Sequence, residues 1–210
     1  MSTAAEVARQ LLQINAIKLS PQKPFTWASG IKSPIYCDNR VALSYPKVRA
    51  YLTEHLVKAS ADFHEFDAIA GVATAGIPHG AILADRLGMP FAYVRSKAKS
   101  HGRQNLIEGA LKEGSKVLVI EDLISTGGSS LQAVHALREA GCEVVGVLAI
   151  FTYEFNSSVH AFAKADCALH TLSAYTALLN EAVSQNYITD AQLETLQAWR
   201  EHPESWSAAE

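Results

Sequence analysis

The chain has 210 residues, 49% apolar and 19% charged, enough to bury one substantial core and too few for two independent ones. Its formal charge of −3 offers nucleic acid no global positive field. Apolar runs fall short of a membrane span, no secretory leader opens the chain, and Cys37, Cys142 and Cys167 lack disulfide-frame or zinc spacing, so the expectation is a cytoplasmic protein with no membrane or nucleic-acid partner.

Residues 4–18 place Ala4, Val7, Leu11, Ile14 and Lys18 at intervals of three and four, the spacing of one helical face. FTWASGIKSPIYCDNR, over 25–40, has aromatic and β-prone residues on either side of Ser29-Gly30 and predicts a hairpin-like appendage. Pro46 suits a helix first turn, and Val48, Tyr51, Leu52, His55 and Leu56 continue that helix. From residue 67 short apolar runs alternate with helical stretches, the pattern of a parallel sheet with crossover helices. Strands are predicted at 67–72, 90–95, 116–122, 142–151 and 167–172, and helices at 77–88, 129–141 and 157–165, the first two stopping at Gly88 and Gly141. Two more helices follow at 174–185 and 190–201, the second with Thr189 and Gln192 at capping-box spacing. The stretch 96–113 has no clear element, and long loops inside compact domains are usually functional. The expectation is one α/β domain over 1–210, with an amino-terminal helix and hood segment (1–65), a core sheet (66–172) and carboxyl-terminal helices (173–210).

Two segments carry chemistry. The first is the apolar run Val117-Leu118-Val119-Ile120, which reads as a strand ending in Glu121-Asp122 and followed by LISTGGSS and a helix start. Carboxyl ends of parallel strands face the ligand crevice. A Gly, Ser and Thr-rich turn leading into a helix presents free amides and the positive end of the dipole to a phosphate. Two acids would repel a lone phosphate but would accept hydrogen bonds from the hydroxyls of a sugar phosphate. Neither G-x-x-x-x-G-K-[ST] nor G-x-G-x-x-G occurs in the chain. The second segment gathers Arg95, Lys97, Lys99, His101 and Arg103 without an acidic residue, a local anion site.

KVLVIEDLISTGGSS resembles the phosphoribosyl pyrophosphate motif of the type I phosphoribosyltransferases. YVRSKAKSHG (93–102) is similar to the catalytic loop of orotate phosphoribosyltransferases, whose pattern maps onto Arg95, Lys99, His101 and Gly102. SGIKSPIY (29–36) resembles that family's substrate hood and GVATAGIPHG (71–80) its pyrophosphate-binding turn. The resemblance runs over nearly the whole chain. It implies a type I phosphoribosyltransferase-like α/β fold, with a mostly parallel twisted sheet flanked by helices under an amino-terminal helix and hairpin hood. The implied activity is transfer of the 5-phosphoribosyl group from phosphoribosyl pyrophosphate to orotate, giving orotidine 5′-phosphate and pyrophosphate in UMP synthesis. Arg95, Lys99 and His101 are the implied catalytic cations, and they bind the sugar diphosphate together with Glu121, Asp122, Leu123, Ile124, Ser125, Thr126, Gly127, Gly128 and Ser129. Within that set the acids take the ribose hydroxyls, residues Ser125 to Ser129 take the 5-phosphate, and Ser125 also meets orotate. Mg2+ is the implied cofactor, bound mainly through the substrate and not by protein ligands. A homodimer is implied in which the 95–103 loop closes over the neighbouring subunit's site.

The sequence departs from the family at several points. Ala28, Ala75 and Ser96 stand where many relatives have lysine, with Lys97 placed to compensate for the last. Thr152 stands where some relatives have an arginine for the orotate carboxylate, which leaves Lys32 and Arg40 as candidates by charge and proximity to the hood. A phosphoribosyltransferase for a purine or another pyrimidine base, and a non-catalytic regulator that binds the same sugar diphosphate, remain alternatives. The non-basic first helix and the Arg95, Lys99, His101 set favour catalysis over the regulator. His55 and His135 read as packed or surface residues, His79 lies in the pyrophosphate turn, and Trp199 and Trp206 read as docking residues.

Overall fold

The computed structural model describes residues 2–27, 30, 32–96 and 106–206. Helix α1 (Thr3–Gln13) starts on the Ser2 side chain, which accepts from the Ala5 amide, and buries Val7, Ala8, Leu11 and Leu12. It stops five residues short of the predicted end at 18. Asn15 takes the left-handed conformation at φ 56°, and the amides of Asn15 and Ala16 close back on the carbonyls of Leu12 and Leu11. Asparagine tolerates that conformation and terminates helices as glycine does. Ile17 and Lys18 therefore belong to a strand.

The hood follows. Strands β1 (Ile17–Leu19), β2 (Phe25–Thr26), β3 (Lys32–Ser33) and β4 (Ile35–Cys37) form two antiparallel pairs, β2 with β3 and, outside them, β1 with β4. The expected hairpin is thus a nested pair that also recruits residues before 25. The Trp27 indole donates to the Ile35 carbonyl at 3.2 Å and holds the two pairs together. A 3₁₀ turn (Asn39–Ser44) leads into α2 (Pro46–Ser60), with Pro46 in its first turn as expected.

The core comprises β5 (Ala68–Val72), α3 (Gly76–Leu87), β6 (Phe91–Val94), β7 (Ile107–Glu108), β8 (Lys116–Ile124), α4 (Gly128–Glu139), β9 (Glu143–Thr152), α5 (Asn156–Lys164) and β10 (Leu169–Ala174). The sheet order is β10-β9-β8-β5-β6-β7, and every pairing is parallel except β6 with β7. Helices α6 (Tyr175–Ser184) and α7 (Asp190–Glu201) close the chain, and α7 has the predicted Thr189–Gln192 capping box.

Three boundaries differ from the sequence reading. The elementless stretch 96–113 contains β7, an edge strand too short to leave a periodic signal, whose Ile107 and Glu108 pair with Val94 and Tyr93. Strand β8 does not end at Asp122 but runs two residues further, pairing Ile124 with Thr152 of β9. The last strand begins at Leu169 because the Cys167 amide is committed to the Phe162 carbonyl at the end of α5.

Alternation along β8 and β9 divides the core between the two faces of the sheet. Leu118, Ile120, Leu148 and Ile150 pack with α1, α2, α3 and α6, while Val117, Val119, Val147 and Ala149 pack with Leu131, Val134 and Leu137 of α4 and Phe162 of α5. Such double coverage is what a continuous apolar strand requires, and each fully buried side chain of this size contributes roughly 1.5–3 kcal/mol. Trp199, fully buried as expected of a docking residue, sets α7 against the hood with ring centroids 5.7 Å from Trp27 and 5.6 Å from Tyr153. Among the described residues no helix is long and apolar enough to cross a membrane.

Candidate functional site

The ends of β5, β6, β8 and β9 bring four segments to one edge of the sheet: the 73–75 turn before α3, Arg95, the 125–127 turn before α4, and Thr152. At the centre are Glu121 and Asp122. The two carboxyl groups are close enough to share a side-chain hydrogen bond. Glu121 turns toward α4, where its Oε2 accepts from the hydroxyls of Ser130 at 3.1 Å and Ser129 at 3.4 Å, and its Oε1 accepts from the Asp122 amide at 3.0 Å. Asp122 bonds the Glu121 carboxyl group and also feels the charges of Arg40 and Asp38.

Burial governs both acids. Glu121 is 4% exposed, and loss of solvation, reinforced by the negative charge of Asp122, pushes its pKa up to about 9. Burial raises Asp122 as well. Glu121 therefore keeps its proton at neutral pH. The Asp122 carbonyl accepts from the Asn39 side-chain amide at 2.7 Å, tying the end of β8 to the hood across 83 residues of sequence.

Beyond β8, Ser125, Thr126 and Gly127 form a tight turn. Gly127 has φ 83°, and a Cβ there would meet the Phe162 ring at 2.8 Å. No other residue fits, and the turn leaves Thr126, Gly128 and Ser129 exposed at the start of α4. The neighbouring turn, after β5, is equally constrained. A Cβ on Gly76 would sit 2.4 Å from the Ile120 carbonyl oxygen, so only glycine lets α3 begin against β8. The Ala73 amide donates to the Val94 carbonyl at 2.8 Å, holding this turn beside the end of β6.

Arg95 follows β6. Its amide donates to the Leu106 carbonyl at 2.8 Å and its guanidinium lies 3.4 Å from Glu108 of β7, so the antiparallel edge strand holds this cation at the end of β6. The Gln132 side chain donates to the Ser96 carbonyl at 3.4 Å, linking the segment to α4. Lys97, Lys99, His101, Gly102 and Arg103 lie outside the described residues, as do Ala28 and Ser29 of the hood motif.

On the hood side of β8, Thr26, Trp27, Tyr36, Cys37, Leu123, Ser125 and Tyr153 line a cavity of about 380 Å³. Its walls are aromatic, with Trp27 and Tyr153 stacked at 5.5 Å between centroids. Burial, with the charges of Asp122 and Asp38, pushes the Cys37 thiol well above its ordinary value, so it stays protonated. Ser125, the predicted base contact, belongs both to this cavity and to the turn beside α4. Trp27 and Tyr153 went unrecognised as walls in the sequence, although the aromatic density of 25–27 and 151–155 was a signal.

Several predicted residues stand apart from the chemistry. The His55 ring bonds the Tyr51 carbonyl one turn back at 2.9 Å, and His135 is exposed on α4. His79 is 3% exposed in α3, after the 73–75 turn, and burial lowers its pKa to about 4, so it is a neutral packing residue facing Asn39. Thr152 is buried and accepts from the Glu154 amide at 3.0 Å, so this position brings no cation to the cavity. Trp206 packs against the core as expected.

A phosphoribosyl transferase domain model matches residues 44–166. The chain is 54% identical over 207 residues to the orotate phosphoribosyltransferase of Listeria monocytogenes, covering 98% of this chain and 99% of that protein. It is 52% identical over 211 residues to the orotate phosphoribosyltransferase of Lactococcus lactis subsp. cremoris, covering 99% and 100%. Among solved structures it is similar to the orotate phosphoribosyltransferase of Aeropyrum pernix, with a TM-score of 0.75 and 26% identity over 87% of this chain and 99% of that one.

Proposed function

Because the chain belongs to the phosphoribosyltransferase family, and within it to the orotate phosphoribosyltransferases, we propose how its residues divide the work of that reaction. The enzyme transfers the 5-phosphoribosyl group from phosphoribosyl pyrophosphate to orotate in pyrimidine biosynthesis. A ring nitrogen of orotate forms the bond to the anomeric carbon as the bond from that carbon to pyrophosphate breaks. Alignment and charge stabilisation carry such a step without a covalent enzyme intermediate.

Thr126, Gly127, Gly128 and Ser129 receive the 5-phosphate, where the free amides of α4 and its dipole favour an anion. Asp122 accepts from the ribose hydroxyls. Glu121, protonated and bonded to Ser129 and Ser130, holds the phosphate turn to the strand and supplies the second ribose contact. Leu123 and Ile124 carry the strand between these two groups, and Ser125 meets orotate in the aromatic cavity. Arg95, Lys99 and His101 stabilise the charge that grows on the departing pyrophosphate. The observation that carries this division is the position of Ser125, which lines the base-sized cavity while standing at the head of the phosphate turn.

Magnesium enters with the substrate. Among the described residues no group of three or more His, Cys, Asp or Glu side chains gathers to hold a metal. Asp122 would offer an oxygen donor that suits a magnesium ion otherwise satisfied by waters and phosphates. When bound, the ion neutralises charge on the diphosphate. The chain acts as one domain over 1–210, a reading supported by the contact of Trp27 with Trp199 between its first and last thirds. It acts as a homodimer that shares the 95–103 loop across subunits, in the cytoplasm, where Cys37, Cys142 and Cys167 stay reduced.

Orotate and its nucleotide differ in ultraviolet absorbance, so a continuous assay with Mg2+ and phosphoribosyl pyrophosphate tests the division directly. Ser125→Ala is expected to raise KM for orotate more than KM for the sugar diphosphate. Equal change in both constants would remove Ser125 from the base site.

A further inference from the structure

We propose that Lys32 is the cation that receives the carboxylate of orotate and so selects this base over bases lacking that group. The inference rests on the reading of the aromatic cavity as the base site. A carboxylate is costly to bring against aromatic walls unless a charge or several donors meet it. None of the described residues lining the cavity is cationic. Thr152, where some relatives place an arginine, contributes only a buried hydroxyl already used by the Glu154 amide.

Two cations lie near the rim. The Arg40 guanidinium is engaged by Asp38, Nε to Oδ1 at 2.6 Å and Nη2 to Oδ2 at 2.8 Å, so its charge is compensated. Among the described residues no carboxylate pairs with Lys32. Its Nζ donates to the Thr26 hydroxyl at 2.9 Å, and Thr26 is itself part of the cavity wall. A hydroxyl orients an ammonium group without neutralising it, and the two remaining N–H bonds are free to donate. The β2–β3 pairing sets Thr26 directly opposite Lys32, so backbone register delivers the ammonium to the rim. Lys32 is an exposed residue, which leaves its charge fully solvated until an anionic base displaces water.

The test measures KM for orotate and for phosphoribosyl pyrophosphate in the full-length enzyme, wild type and Lys32→Ala, Lys32→Gln, Lys32→Arg, Arg40→Ala and Ser125→Ala. Circular dichroism and melting temperature serve as folding controls. Loss of one charge-assisted bond predicts a rise of about ten- to a hundredfold in KM for orotate in the Ala and Gln variants. KM for the sugar diphosphate should stay within about twofold, as should KM for orotate in Arg40→Ala, since neither change removes a bond to the base. Lys32→Arg should retain most of the affinity, and the rise of orotate KM with added salt should flatten in Lys32→Ala. An unchanged orotate KM in the Ala and Gln variants, a parallel rise for both substrates, or a selective effect in Arg40→Ala instead overturns the assignment. If Ser125→Ala raises orotate KM while the Lys32 variants do not, the assignment of Lys32 fails and the cavity reading stands. If neither affects it, the cavity reading fails as well.

Discussion

Glu121 is a carboxylic acid kept neutral by its surroundings, and the sign of that shift has a measurable outcome. Its pKa rises from the ordinary 4.5 to about 9 on folding, so between those values the folded chain binds more protons than the unfolded chain and stability falls as pH rises. Glu121→Gln removes the titration. In urea unfolding of the ligand-free protein, the variant should gain on the wild type between pH 6 and 9 by up to about 1.4 kcal/mol per pH unit. A stability difference that does not vary with pH would show that the folded-state shift is absent. For the neighbouring acid, Asp122→Asn should weaken phosphoribosyl pyrophosphate binding in calorimetry with Mg2+ present and leave orotate KM little changed. Lys99→Ala should lower kcat by about 10²-fold, the size expected for one oriented charge donor at the departing group. Steady-state rates equal to the wild type would remove Lys99 from the chemistry.

At the level of elements, the two glycine-bounded turns are what allow helices to begin against the sheet edge. Gly127→Ala forces a left-handed alanine, at about 1–2 kcal/mol, and drives its methyl into the Phe162 ring. A lowered melting temperature together with weaker binding of the sugar diphosphate is the expected pair of results. Most of this level was legible in the sequence, because long periodic stretches and glycine stops at 88 and 141 carry strong local signals. What was not legible has particular causes. The helix stop at Asn15 was overridden by apolar spacing that continues to Lys18 on paper but not in space. The strand β7 is two residues long and stands only because Val94 and Tyr93 offer it a partner. The continuation of β8 through Leu123 and Ile124 depends on β9, since a run interrupted by two acids looks finished when its neighbour is out of view. For the site, Arg95 and residues 121–129 lie at one edge of the sheet, while Lys99 and His101 lie outside the described residues. The burial of Glu121 and Asp122 in mutual contact and the aromatic walls from distant segments follow from packing, which residue identity does not record.

For the whole molecule, the proposed sharing of the 95–103 loop makes the subunit an incomplete catalyst. Mixing Lys99→Ala with Asp122→Asn lets a hybrid dimer place both defects in one site and leave the other intact. Activity should recover to about a quarter of the wild-type value, the share expected when half of randomly paired dimers are mixed and each has one good site. No recovery after verified subunit exchange would place each loop over its own subunit. The stacking of Trp27 on Tyr153, with its edge against Trp199, has a consequence for observation as well as for stability. One indole forms the lining against which a pyrimidine would rest and also touches the last helix, so the protein carries an intrinsic optical probe of its own occupancy. Emission quenched by ligand in the native chain and lost in Trp27→Phe would let base entry be followed in real time without any added label.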